Sequence, residues 1–155
     1  EPLIQKQFSR IMSLKDGLKK MSKSEISDLS RINLTDDKDQ IINKIKKAKT
    51  DPLQMPSQIS DLENRPEVKN LLGIYSSLSG LTIEQCIKDY SEKNFSLFKE
   101  NLTEILIEKI EPISKNIKKL LDDKKYLDKI LDNGFEKANK IDSKKIEKIH
   151  KIVGF

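Results

Sequence analysis

Two lysines and two serines fall within five residues at Lys20-Met21-Ser22-Lys23-Ser24, shortly after Asp16-Gly17. A lysine offers a compact cation with three donors and a serine adds a neutral donor, so the group is equipped to hold the phosphates of a nucleotide. Gly17 to Ser24 reads G-x-x-x-x-S-K-S, one residue from a phosphate-binding P-loop. Ser22 stands where the second glycine of a P-loop lets phosphate approach the backbone, and no apolar strand leads into Gly17. The P-loop reading is therefore set aside. Little else in the chain could do chemistry. Cys86 and His150 are the single cysteine and the single histidine. They exclude an internal disulfide and a cysteine-rich metal site, and give a histidine-ligated metal or a serine–histidine pair little to work with. No metal site is expected.

The elements that must position this group follow from composition and period. Charged residues make up 35% of the 155 and the hydrophobic set another 35%, so a core must come from narrow apolar stripes. The net charge of +5 permits a polyanion partner without requiring one. No apolar run approaches the roughly 18 residues of a membrane span and no signal peptide is visible, so a cytoplasmic protein away from membranes is expected. A lone cysteine fits a reducing compartment. The chain opens at Glu1 without a methionine and is expected to be a piece of something longer.

Arg10-Ile11-Met12-Ser13-Leu14 alternates loosely and is short enough for a strand, and Asp16-Gly17 is a turn signal. Lys19 to Arg31 is polar and without period, a loop suited to closing over a ligand. Helices follow. The first starts at Thr35 or Asp37, with Ile41, Ile42, Ile45 and Ala48 as its stripe and Lys44, Lys46, Lys47 and Lys49 on or around its exposed side. Pro66 opens a helix that Gly80 ends, and Thr82 with Gln85 is a capping box ahead of Ile83, Cys86, Ile87 and Tyr90. Cys86 is read as core. The run from Phe95 to Leu121 recurs at steps of three and four, with a kink expected at Pro112. A last pattern covers Tyr126 to Val153, with Asn133-Gly134 as its weak point. The fold class is mainly α: a bundle of about five helices preceded by a short terminal strand and loop.

Several further strings narrow the family. Arg10-Ile11-Met12-Ser13-Leu14, Lys20-Met21-Ser22-Lys23-Ser24, Asn33-Leu34 with Asp36-Asp37, Ile45-Lys46-Lys47-Ala48, Thr50-Asp51 and Asn70-Leu71-Leu72-Gly73-Ile74-Tyr75-Ser76 resemble bacterial tryptophanyl-tRNA synthetases, class I aminoacyl-tRNA synthetases whose second signature is KMSKS. Tyrosyl-tRNA synthetases are the nearest sister family, but usually carry glycine in place of Ser22. The resemblance is to the C-terminal half, weakest in residues 1–9 and 53–64. It implies that residues 1–30 are the end of a Rossmann-like, nucleotide-binding α/β domain and that 31–155 form the helical anticodon-recognition domain.

The resemblance also assigns roles. Ile11 contacts the adenine of ATP through its backbone. Lys20 and Lys23 act catalytically, binding the phosphates and stabilising departing pyrophosphate, with Met21, Ser22 and Ser24 in the same ATP loop; Lys19 is read as solvated. ATP is a substrate, accompanied by Mg2+. The implied activity is activation of L-tryptophan to the adenylate and transfer to tRNA(Trp), with lysines near 44–49 and 115–119 as candidate phosphate contacts. The family's histidine-containing first signature and its tryptophan pocket are not in this chain, so inactivity alone is expected. The parent enzyme is expected to be a homodimer. A non-catalytic helical module that binds tRNA or a partner protein is the alternative.

Overall fold

The computed structural model describes residues 8–154. It divides into two compact units, Glu1–Ser114 and Lys115–Phe155. Among the described residues there are five α-helices: α1 Lys38–Lys46, α2 Pro66–Ser79, α3 Ile83–Tyr90, α4 Phe95–Asp122 and α5 Lys124–Val153. The chain is mainly helical, as its periodicity predicts. The strand expected at 10–14 is present only as an isolated antiparallel bridge between Met12 and Lys20. Extended backbone forms there, but no second strand among the described residues extends the pairing.

The helix boundaries lie where side chains satisfy the free backbone groups of the first and last turns. Asp37 accepts from the Gln40 amide at 3.0 Å while the Gln40 side chain accepts from the Asp37 amide at 2.9 Å, closing a capping box on α1. Thr82 and Gln85 do the same for α3. Pro66 occupies the first turn of α2, and Gly80 closes that helix at φ 74°, a left-handed conformation that a glycine adopts without strain. At its other end α1 is held by α4: Lys99 Nζ donates to the Ala48 carbonyl at 2.7 Å and the Lys46 carbonyl at 3.3 Å. Burial pushes the Lys99 ammonium below its usual range.

In the first unit the core gathers Leu14, Ile41, Ile45, Val68, Leu71, Leu72, Cys86, Phe98 and Leu102, all buried. Each fully buried large side chain contributes about 1.5–3 kcal/mol. Tyr75, Tyr90 and Phe98 stack edge-on or tilted with centroids 5.1 to 5.7 Å apart. α4 runs through Pro112 as one element, and two residues later the buried Ser114 hydroxyl donates to the Thr35 carbonyl at 3.1 Å. The second unit is different. α5 runs unbroken through Asn133-Gly134 and buries none of its residues, although Ile130, Leu131, Phe135, Ile141, Ile149 and Ile152 recur along it. The period specified the helix but not its burial. A unit of about 40 residues has too little chain to cover such a stripe.

One charged side chain departs from its sequence reading. Lys44, expected on the exposed side of α1, is buried, and its ammonium donates to both carboxylate oxygens of the equally buried Asp36 at 2.9 and 2.7 Å. Asp28 approaches the same ammonium at 2.6 Å. Removing the ammonium leaves Asp36 a buried carboxylate with no other cation within ion-pair distance among the described residues. Lys44→Ala should therefore lower unfolding stability by about 3–5 kcal/mol, while Asp36→Leu combined with Lys44→Met should recover most of the loss in urea titrations.

A second ion pair ties the exit of α1 to the entry of α2. Arg65 grips Asp51 with two bonds, Nε at 2.7 Å and Nη2 at 2.8 Å, and also reaches the Gln54 carbonyl at 2.8 Å. Burial pushes the Asp51 carboxyl up, but the Arg65 fork and the Leu53 amide outweigh it and hold the group below its ordinary 3.8. A carboxyl held lower in the folded state contributes stability that is fully present above that ordinary value and is lost as pH falls through the folded one. Urea midpoints should therefore drop less between neutral pH and about pH 3 in Asp51→Asn than in the wild type.

Candidate functional site

The site is built on Ile11–Leu14, whose backbone finds hydrogen-bond partners in several parts of the chain. The Met21 amide donates to the Ile11 carbonyl at 3.0 Å and the Ser13 amide to the Lys19 carbonyl at 2.8 Å. These two bonds flank Met12 and Lys20, which face each other as a non-hydrogen-bonded pair, so the backbone groups of Met12 point the other way. Asn70 on α2 takes both: its Oδ1 accepts from the Met12 amide at 2.9 Å and its Nδ2 donates to the Met12 carbonyl at 2.8 Å. One carboxamide serves as the neighbouring strand. The Leu14 amide donates to Ser30 and the Lys49 amide to Leu14, at 2.9 and 2.8 Å.

Gly17 has a use other than phosphate. A Cβ there would stand 2.5 Å from the Glu67 amide nitrogen and the Pro66 carbonyl carbon, so glycine lets this turn press against the start of α2. Lys49 pairs with Glu67 beside it at 2.7 Å, which holds the Glu67 carboxyl below its ordinary range.

Lys20 to Ser24 then projects from the bridge. Ile11, Lys20, Met21, Ser22 and Lys23 line one open groove of about 610 Å³ together with Arg10, Arg31, Ile32, Asn33 and Leu34. Ser24 does not line it; its hydroxyl shares a 2.9 Å bond with Ser22. Lys20 and Lys23 are exposed, and among the described residues neither ammonium has a carboxylate within ion-pair distance. Lys19, read as solvated, has Asp16 at 3.7 Å. Two cations with no carboxylate partner among the described residues, on a groove shared with Ile11, have the chemistry to meet a phosphorylated ligand without first breaking an ion pair.

A model of the family "tRNA synthetases class I (W and Y)" matches residues 1–113. The chain belongs to this family. It is 53% identical over all 155 residues to tryptophan–tRNA ligase of Rickettsia conorii, covering 46% of that protein. It is 48% identical over its full length to the same ligase of Agrobacterium fabrum, covering 44% of it. The chain thus spans under half the length of the curated relatives it matches. Among solved structures, tryptophanyl-tRNA synthetase of Campylobacter jejuni in complex with ADP and tryptophan superposes with a TM-score of 0.73 at 24% identity, covering all of this chain and 46% of that one. The Mycoplasma pneumoniae synthetase gives a TM-score of 0.58 at 30% identity over 68% of this chain and 34% of its own. At 24% identity the first of these speaks for the fold alone.

Within this family member, the residues that hold the groove in place include several that sequence reasoning missed. Asn70 entered only as part of a family string, and nothing local to it signals a partner 58 residues away. Lys44 did carry a signal, because it sits three residues after Ile41 and four before Ala48, on the buried side of α1. Lys44 and Lys49 are committed to Asp36 and Glu67, which removes Lys44 from the candidate phosphate contacts. Arg31, the last residue of the polar loop, carries no local signal of the three partners its guanidinium finds. Asn70→Ala would leave the Met12 N–H and C=O without partners; an unfolding measurement should show a loss of about 1–3 kcal/mol. Asn70→Asp, which cannot donate to the Met12 carbonyl, should not restore it.

Proposed function

We propose that this chain is the C-terminal half of a tryptophan–tRNA ligase, supplying the KMSKS loop to an ATP site and the helices that hold tRNA(Trp). The observation that supports this most is the pairing of Lys20 and Lys23, both without a carboxylate partner among the described residues, with Ile11 on one groove. In the proposed reaction the tryptophan carboxylate attacks the α-phosphorus of ATP. A carboxyl–phosphate bond forms as the bond to pyrophosphate breaks; a tRNA hydroxyl later attacks the carbonyl of the adenylate, forming the ester as the bond to AMP breaks and AMP leaves. Negative charge grows on the departing pyrophosphate, where Lys20 and Lys23 stabilise it. Cations that engage fully only at that point raise turnover more than they raise ground-state binding.

The proposed division of labour gives residues 1–30 to the nucleotide-binding domain and 31–155 to recognition of the anticodon region. Ile11 contacts adenine through its backbone, and Met21, Ser22 and Ser24 complete the loop. Mg2+ is proposed to arrive on the triphosphate: among the described residues no group of three or more His, Cys, Asp or Glu is placed to hold a metal ion. The complete ligase is proposed to be a cytoplasmic homodimer, and this chain to be inactive alone. No helix among the described residues is long and apolar enough to cross a membrane.

The test uses Lys20→Ala with Lys23→Ala in the complete ligase. Turnover in ATP–pyrophosphate exchange should fall by about 10²–10³-fold, with tRNA affinity little changed. Unchanged exchange with weakened tRNA binding would instead make the loop an element of a non-catalytic binding module.

A further inference from the structure

The two loop lysines are held by different means. Lys20 sits in the bridge itself, fixed by the bonds on either side of it. Lys23 lies beyond the bridge, and the bonds near it join Ser22 and Ser24 within the loop. The next attachment to the body of the protein is at Glu25, whose carbonyl accepts from Arg31 Nη1 at 2.9 Å. The other two guanidinium nitrogens are also engaged: Nε donates to Asn33 Oδ1 at 3.2 Å, and Nη2 pairs with Asp28 at 2.9 Å. Asp28 in turn meets the buried Lys44 at 2.6 Å, and Asn33 donates its side-chain amide to Asp28 at 2.9 Å and to Asp36 at 3.3 Å. Arg31 therefore connects the loop's far root to a buried charge cluster on α1. A planar guanidinium with three partners in fixed directions orients what it holds, which a lysine ammonium on a flexible stem does not.

We propose that Arg31 is a positioning residue: by fixing the Glu25 carbonyl it sets the place from which Lys23 acts on the phosphates. Two residues of chain span about 7 Å at most, so a fixed Glu25 confines the Lys23 backbone to a small volume beside the groove. This rests on the ligase reading above, and adds to it a residue outside the KMSKS string. Asp28 holds Arg31, Lys44 holds Asp28, and both act on Lys23 only through Arg31.

The experiment is a double-mutant cycle in the complete ligase, read by ATP–pyrophosphate exchange and by hydrogen exchange of backbone amides. Arg31→Ala should lower turnover about tenfold or more, the loss expected for a hydrogen bond from a charged donor. In a Lys23→Ala background the same change should cost less than about twofold, whereas in a Lys20→Ala background it should cost its full factor. Arg31→Lys should not recover turnover. Amides of residues 23–26 should exchange about tenfold faster in Arg31→Ala, while those of Ile41 and Ile45 in α1 keep their protection. A full loss in the Lys23→Ala background, an unchanged turnover, or loss of protection in α1 as well would each overturn the proposal. If the unmutated protein shows no exchange activity yet Arg31→Ala still loosens 23–26, the ligase reading fails, and with it the role assigned to Lys23. Arg31 would then be a loop anchor only.

Discussion

The structure around the groove depends on one constraint: the backbone of Ile11–Leu14 must satisfy its polar groups without a sheet. A buried, unpaired amide or carbonyl costs on the order of a hydrogen bond's full desolvation, so the partners have to come from elsewhere. They come from the loop at 19–21, from Ser30, from Lys49 at the end of α1 and from Asn70 on α2. The segment thereby becomes the point where loop, first helix and second helix meet. Leu14, buried in the core while its amide and carbonyl are both bonded, joins that junction to the apolar packing. Moving any one of these elements would break bonds that hold the others. That interdependence is what gives Ile11 and Lys20 fixed positions beside the groove.

What was legible in the sequence follows the range of each interaction. Helix ends are set by local causes, so Thr82 with Gln85, Pro66 and Gly80 are legible in the sequence, whereas Thr35 and Asp37 both stay open as the first cap until the structure selects Asp37, boxed with Gln40. The apolar stripes of α2 and α3 were legible for the same reason, being a repeat of three and four. The partners of Asn70, Ser114 and Lys99 lie 51 to 79 residues away, and no spacing rule reaches that far. Lys44 shows the intermediate case: its position on the buried side was visible, but its charge argued for the surface until Asp36 supplied a buried partner. At α5 the period was legible and its burial was not, because amphipathic spacing specifies a helix with one apolar face and says nothing of what lies against it.

The lysines fall into two groups that composition cannot separate. Lys44, Lys49 and Lys99 are structural: one neutralises the buried Asp36, one pairs with Glu67 and one caps the end of α1. Lys20 and Lys23 meet no carboxylate among the described residues. With 30 basic side chains against 25 acidic ones, many lysines find no carboxylate among the described residues; what sets Lys20 and Lys23 apart is that the backbone brings both to one groove. The carboxylates of Asp28 and Asp36 are already engaged by Lys44, Arg31 and Asn33.

Under the ligase reading, this separation has a consequence for the barrier. A loop lysine paired at rest would have to give up that pair as pyrophosphate departs, and the energy of the old pair would be subtracted from the new one. An unpaired lysine on a fully mobile loop avoids that loss but must be ordered at the moment of reaction, which costs conformational entropy. Rigid roots with a short free tip reduce both terms. The Met21–Ile11 bond fixes the loop up to Met21, the Arg31–Glu25 bond fixes it after Ser24, and the freedom left to close the site is confined to Ser22, Lys23 and Ser24 between them.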